Sequence, residues 1–486
     1  HWNYRRSRRW VPDDDVKGIA VQSNGNAWFA TAKGVGLLER IPMTLAQKAK
    51  YFEDEIDKYH RRTPYGYVLG VSVSEPGKKT GITQHDSDND GLWTSMYGAG
   101  ECFAYAATKD PLAKKRANDA FKAVAFLSEV PQGGMHSPPP GFPARSILPV
   151  SGRNPNDHDN EAHDRKNQEK DPFWKVLVPR WPVSADGQWY WKTDTSSDEL
   201  DGHYFLYSCY HDFVAETPEE KQYVKDVVKR ITDHLIEHDY QLIDHDGKPT
   251  RWGRFNREVL EHGHMIAARP LNCLSILSYL RTAHHVTGDQ IYLDHYHKLI
   301  KEQGYAANMF IPKWALGYGT GNQSDDEMAF MNYYNLLRYE DDPEILRIYH
   351  YSLAWYFSLE RTERNPLFNY IFASLWKGTS GYPTREVPQW SLQDGADTLV
   401  SYPLDRFDWD VKNSHRLDIV PLKDMWWKNS GYLVDGKVTP IDERFVGHWN
   451  HNPWRFDEGG EGKSLADGNS FLLPYYMGLY YGFIKE

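Results

Sequence analysis

The chain has 486 residues, enough for a large core or for two or three domains. Its net charge is -11, and the basic run Arg5-Arg-Ser-Arg-Arg9 continues into no longer Lys/Arg tract. Nucleic acid is therefore not an expected partner, and that run reads as solvated. No apolar stretch reaches the roughly 18 residues of a membrane span.

Residues 1–43 read as a β-appendage. Val16 to Leu38 alternates in hydropathy and breaks at Ser23-Asn-Gly-Asn26, the pattern of a hairpin with a tight glycine turn. It is similar to one blade fragment of the propeller repeats of bacterial sensor proteins. No second copy follows, and one blade cannot close a propeller.

Residues 44–486 read as mainly helical. Leu45 to Arg62 has helical spacing. Four helical pairs follow: Trp93–Thr108 with Pro111–Val130, Ser196–Ala215 with Pro218–His238, Arg269–Thr287 with Asp289–Gln303, and Asp325–Tyr339 with Pro343–Leu359. Each pair turns at a glycine or at a proline that starts the next helix, where a missing N–H costs little. Phe471 to Ile484 reads as a closing helix. Repeated hairpins of this size predict an (α/α) toroid of six or seven pairs, its inner helices lining a funnel. Long polar segments separate the pairs, at Pro131–Trp191, Gly304–Ser324 and Lys377–Leu465. The stretch 157–170 reads equally as a disordered insert or an ordered lid. Cys102, Cys209 and Cys273 lie in apolar helical patterns without metal spacing and read as buried thiols.

Five aromatic-polar clusters are spread along the chain: His85–Trp93, Ser196–Tyr204, Thr250–Gly253, Asn413–Arg416 and Trp449–Pro453. Aromatic faces bind the C–H surface of sugar rings, and adjacent polar groups bind hydroxyls and carboxylates. With 18 Trp and 32 Tyr in the chain, the clusters predict loops and helix ends converging on one carbohydrate pocket. Asp86, Asp88 and Asp90 match the first half of a calcium loop, but the twelfth position holds Tyr97 instead of glutamate. The same stretch reads as a helix start, where Asn89, Asp90 and Trp93 would face substrate and the N–H groups would favour an anion.

Glu199 and His203 stand four apart beside Asp198 and Tyr204, a spacing for an imidazole oriented by a carboxylate. Arg251 and Trp252 fall on a loop, with His264 downstream. Arg406, His415 and Arg416 cluster with Trp390 and Trp409, and Trp449 and Asn450 follow. Motifs for serine nucleophiles, phosphate loops and zinc proteases are absent, and Gly317-Tyr-Gly-Thr-Gly321 follows no βαβ pattern.

Asn89-Asp-Gly-Leu-Trp-Thr94, Glu101-Cys-Phe-Ala-Tyr-Ala106, Ser197-Asp-Glu199 with Gly202-His203, Thr250-Arg-Trp-Gly253, Asn413-Ser-His-Arg-Leu-Asp418 and Phe471-Leu-Leu-Pro-Tyr-Tyr-Met-Gly478 together form a pattern. It resembles bacterial (α/α)-toroid proteins with a propeller-like N-terminal fragment, in particular the L-rhamnose-α-1,4-D-glucuronate lyases, polysaccharide lyase family twenty-seven. The resemblance spans nearly the whole chain. It implies β-elimination on arabinogalactan side chains, a polysaccharide or oligosaccharide partner, and a periplasmic or surface location in Bacteroidetes. A first residue of His1 instead of Met also favours export.

β-Elimination needs a cation or amide at the uronate carboxylate, a base for the C5 proton and an acid for the leaving oxygen. Residue chemistry offers Arg251, Arg406 and Arg416 for the first task, and His203, His264, His415 and Tyr204 for the others. No cofactor is required, with calcium as the optional cation. The alternative is a glycoside hydrolase on the same toroid, using paired acids among Asp90, Asp198 and Glu199. A non-catalytic glycan-binding protein is the third reading.

Overall fold

Local turn chemistry sets the helix boundaries. In a computed structural model, which describes residues 3–158, 160–313, 322–376, 389–422, 429–447, 449 and 451–485, the helices are α1 (Leu45–Glu55), α2 (Asp90–Thr108), α3 (Pro111–Leu127), α4 (Asn160–Gln168), α5 (Ser197–Phe213), α6 (Pro218–Glu237), α7 (Arg257–Leu260), α8 (Arg269–Thr287), α9 (Gln290–Gln303), α10 (Tyr305–Asn308), α11 (Gln323–Tyr339), α12 (Pro343–Glu360), α13 (Pro366–Trp376), α14 (Gln389–Ser401) and α15 (Asn469–Tyr480). Lys109 ends α2 in the left-handed conformation, and Asp110 caps the Leu112 N–H before Pro111 opens α3. Thr217 and Glu220 form a capping box around Pro218. Asp342 caps α12 the same way ahead of Pro343.

The helices form an (α/α) toroid. Helices α2, α5, α8, α11, α13 and α15 pack side by side in a closed inner ring, α15 returning to α2. Outside them lie α3, α6, α9, α12 and α14, each antiparallel to the inner helix before it, and α1 covers α15. Six pairs result, the sixth joining the two ends of the helical region. Inner helices are buried on nearly every face, whereas α6 buries one stripe of Val224, Val227, Val228, Ile231 and Leu235. Helices α2 and α5 touch at their backbones. A Cβ on Gly202 would lie 2.6 Å from Leu92 Cα, so only glycine permits that approach.

Several expectations change. The appendage is a three-stranded antiparallel meander, not a hairpin: β1 (Val16–Val21), β2 (Ala27–Thr31) and β3 (Gly34–Leu38). The basic run is only partly solvated. Arg5 pairs with Asp442 at 2.8 Å, Arg9 donates to the Arg444 carbonyl at 2.9 Å, and Arg8 lies over the Trp409 ring. These contacts tie the N-terminal segment to the late polar segment. The 157–170 stretch contains helix α4, anchored by buried Asp164, which accepts from Arg180 and Trp174. The late segment contains α14 and small two-stranded sheets. The three cysteines are buried free thiols. Among the described residues no helix is long and apolar enough to cross a membrane.

Candidate functional site

All six inner helices present their N-terminal ends to one mouth of the ring. Asn89 and Trp93 of α2, Ser197 and Asp198 of α5, Asn272 of α8, Asn322 and Asp325 of α11, Pro366 of α13 and Ser470 of α15 line adjoining cavities there. The largest holds about 650 Å³. It joins a second of about 400 Å³ at Leu69 and Asn322. That one joins a third of about 440 Å³ at Arg145, Asp198 and Asn322. The result is one groove whose floor carries the positive ends of the helix dipoles.

Charge pairing separates the arginines. Arg251 is buried, its Nε bound to Asp171 and its Nη1 2.9 Å from Met265 Sδ. Arg416 is held by Asp418 and Glu443, each at 2.8 Å, with its guanidinium over Tyr4. Both are structural ties. Arg406 differs: it is 3% exposed and lines the largest cavity. Its Nε donates to the Asp467 carbonyl, and its Nη2 to the Gly447 carbonyl and Ser470 Oγ, each at 3.2 Å. Its Nη1 has no partner among the described residues, and none of its partners is a carboxylate. Arg145 behaves alike, donating to the Asp88 and Asp194 carbonyls and to Asn89 Oδ1.

The nominated proton-transfer residues lie elsewhere. His203 is fully buried between α2 and α5, its Nε2 3.4 Å from Glu199 and its Nδ1 3.0 Å from Tyr207. Burial pushes its pKa down to about 3, so it is neutral, and it holds Glu199 well above the usual carboxylate range. Tyr204 is buried against Thr232 and stacks on Tyr279. His264 and His415 are exposed on turns away from the groove lining. Among the described residues, the imidazoles that line the groove are instead His85 and His451. His451 Nε2 meets Glu458, whose other oxygen accepts from Arg455 at 2.6 Å. Burial lowers the pKa of His451 against the opposing pull of Glu458.

Carboxylates line the third cavity. Asp198 and Asp325 both face it. Burial, then the neighbouring Asp198, raises the Asp325 pKa to about 7. Asp198, raised by burial, accepts from Asn89 Nδ2 at 3.3 Å. Trp252, 37% exposed, forms one wall. Asp90 is buried on Arg62, Ser146 and Ser87, out of the groove. Asp86 and Asp88 both turn to Lys192 while Asp90 turns to Arg62, so the three carboxylates do not converge on one centre. Trp449 lines a small cavity of about 80 Å³ beside the largest. The Trp390 side chain and Asn450 fall outside the described residues.

Sequence reading missed Arg145, Asp325, His451, Arg455 and Glu458. His451 lies inside the Trp449–Pro453 cluster, a signal that was available. Arg145 sits in a polar segment with no local mark.

No family model matches the chain, and no curated protein matches it. Among solved structures, a sugar epimerase from a ruminal bacterium is similar at 10% identity, with 91% of this chain and 100% of that one covered and a TM-score of 0.46. A Bacteroides ovatus GH9 protein is similar at 10% identity, covering 95% and 87%, with a TM-score of 0.38. The GH76A alpha-1,6-mannanase from Salegentibacter sp. HEL1_6 is similar at 12% identity, covering 90% and 98%, with a TM-score of 0.31. The groove's own residues carry the functional reading.

Proposed function

We propose that the chain is an enzyme that binds an anionic saccharide in this groove and cleaves it beside a uronate by β-elimination. The observation that carries the proposal is Arg406, a buried guanidinium on the wall of the largest cavity with no carboxylate partner among the described residues. A buried, uncompensated charge is destabilising, and an incoming carboxylate offsets that cost. Binding of the uronate carboxylate by Arg406 acidifies the C5 proton. His451, oriented by Glu458 and unprotonated near neutral pH, takes that proton. The C4–O4 bond breaks with its electron pair on O4, a C4–C5 double bond forms, and His85, on the same cavity, protonates O4. The guanidinium supplies the neutralising charge, so the scheme requires no metal. The motif resemblance points to rhamnose-capped glucuronate of arabinogalactan-type glycans as substrate, met in the periplasm or at the cell surface.

The pair Asp198 and Asp325 favours a second reading, hydrolysis of the same class of glycan. A carboxyl raised to about 7 suits a general acid at neutral pH. Product analysis separates the two. Elimination releases a conjugated 4,5-unsaturated uronate that absorbs in the ultraviolet. Hydrolysis yields a saturated product and places one oxygen from labelled water in it.

A further inference from the structure

The far end of the ring holds a second cluster, which the groove chemistry does not use. His211 and Asp212 lie in the last turn of α5, His285 in that of α8, and Arg338 and Tyr339 end α11. His211 Nδ1, Asp212 Oδ1 and His285 Nε2 all lie within 4.8 Å of one another. The two ring nitrogens are 2.9 and 2.8 Å from that single carboxylate oxygen. The other oxygen of Asp212 accepts from Arg338 Nη2 at 2.6 Å and from the Tyr339 hydroxyl at 2.8 Å. Tyr339 also stacks on the His285 ring at 3.9 Å, which fixes the imidazole plane.

We propose that His211, Asp212 and His285 bind one divalent transition-metal ion of the zinc class. Two imidazoles and a carboxylate are the donor set such ions prefer. Ligand bonds of roughly 2.0–2.1 Å put tetrahedral donors ~3.3 Å apart, so each nitrogen needs to draw back from the carboxylate oxygen by only a few tenths of an ångström, and the two nitrogens already lie within 4.8 Å of each other. Arg338 and Tyr339 act as the outer shell that orients the carboxylate and leaves its first oxygen facing the imidazoles. His285 is 36% exposed at its side chain, which admits a solvent molecule to the fourth position. The converging C-terminal ends of three inner helices add partial negative charge, which favours a cation there. The ion would cross-link α5 to α8 at the end remote from the groove. The competing account makes Asp212 the hub of hydrogen bonds among protein groups only.

Metal-stripped full-length protein titrated with zinc chloride, followed by calorimetry and by elemental analysis after gel filtration, decides between them. The expected result is about one ion per chain, a zinc-dependent rise in Tm, and at least tenfold weaker binding in His285→Ala and in His211→Ala. Cobalt(II) should give the visible absorption of a tetrahedral N/O site in the wild type and lose it in His285→Ala. Other histidines on the chain can bind zinc weakly, so the double variant His211→Ala/His285→Ala is the control. Binding of equal strength by the wild type and the double variant, or no retained ion in the wild type, overturns the proposal. Neither readout depends on the reaction proposed for the groove.

Discussion

Replacing Arg406 with glutamine removes the charge and keeps a polar side chain at the cavity wall. The structural cost is bounded by its contacts: three hydrogen bonds of 3.2 Å, to two carbonyls and one hydroxyl, and stacking on Tyr402. Bonds that long contribute about 1 kcal/mol each at most, and removing a buried, unpaired charge offsets part of the loss. A net destabilisation of roughly 1–3 kcal/mol leaves the protein folded. The functional cost is larger. Losing one preorganised charge donor removes about 3 kcal/mol of transition-state stabilisation, so kcat/KM should fall roughly 10²–10³-fold. Binding gives the sharper assay. Calorimetry compares a glucuronate-containing oligosaccharide with its carboxyl-reduced counterpart. The wild type should prefer the acid, and Arg406→Gln should bind both alike. If the variant is folded by circular dichroism, keeps the wild-type preference and loses less than tenfold in kcat/KM, Arg406 does not hold the carboxylate and the reasoning fails.

Further outcomes follow from the same geometry. His451→Ala should retain oligosaccharide affinity while turnover falls about 10²–10⁴-fold, and Glu458→Gln should shift the pH profile; a His451→Ala enzyme with more than roughly a tenth of wild-type turnover removes it as base. Asp201, buried against Asn332 and Tyr279, has its pKa raised from 3.8 to about 8 by burial. Its folded form favours the proton, so its contribution to stability is complete below pH 3.8 and is lost as pH rises through about 8. Asp201→Asn, which mimics the protonated acid, should therefore lose less Tm than wild type between pH 5 and 8, and equal losses contradict the assignment. Gly202→Ala drives a methyl group into the Leu92 backbone, 2.6 Å away, and should cost roughly 1–3 kcal/mol in denaturant unfolding. A neutral result would mean that α2 and α5 can separate freely.

Helix boundaries are set by neighbours in sequence, and there the chain was legible. Asp110-Pro111, Thr217-Pro218 with Glu220, and Asp342-Pro343 cap helices through contacts two to four residues long, so the four hairpins and the toroid could be read directly. Helices α13 and α14 escaped, because one lies next to, and the other inside, a segment whose polar residues obscure the apolar period. The site was legible only in its composition. Indole, guanidinium and amide clusters pointed to convergence on one pocket, and Asn89, Trp93, Asp198, Trp252, Arg406 and Trp449 line the adjoining cavities at the mouth of the ring. Which arginine remains unpaired was decided by the tertiary structure alone. Arg251 meets Asp171 across 80 positions and Arg416 meets Glu443 across 27, while Arg406 meets carbonyl groups. His203 reads like a helix-start base, yet ring packing closes α2 over it and burial removes its charge. Pairing and burial depend on which distant segments the ring brings together, and no local period or cap encodes that.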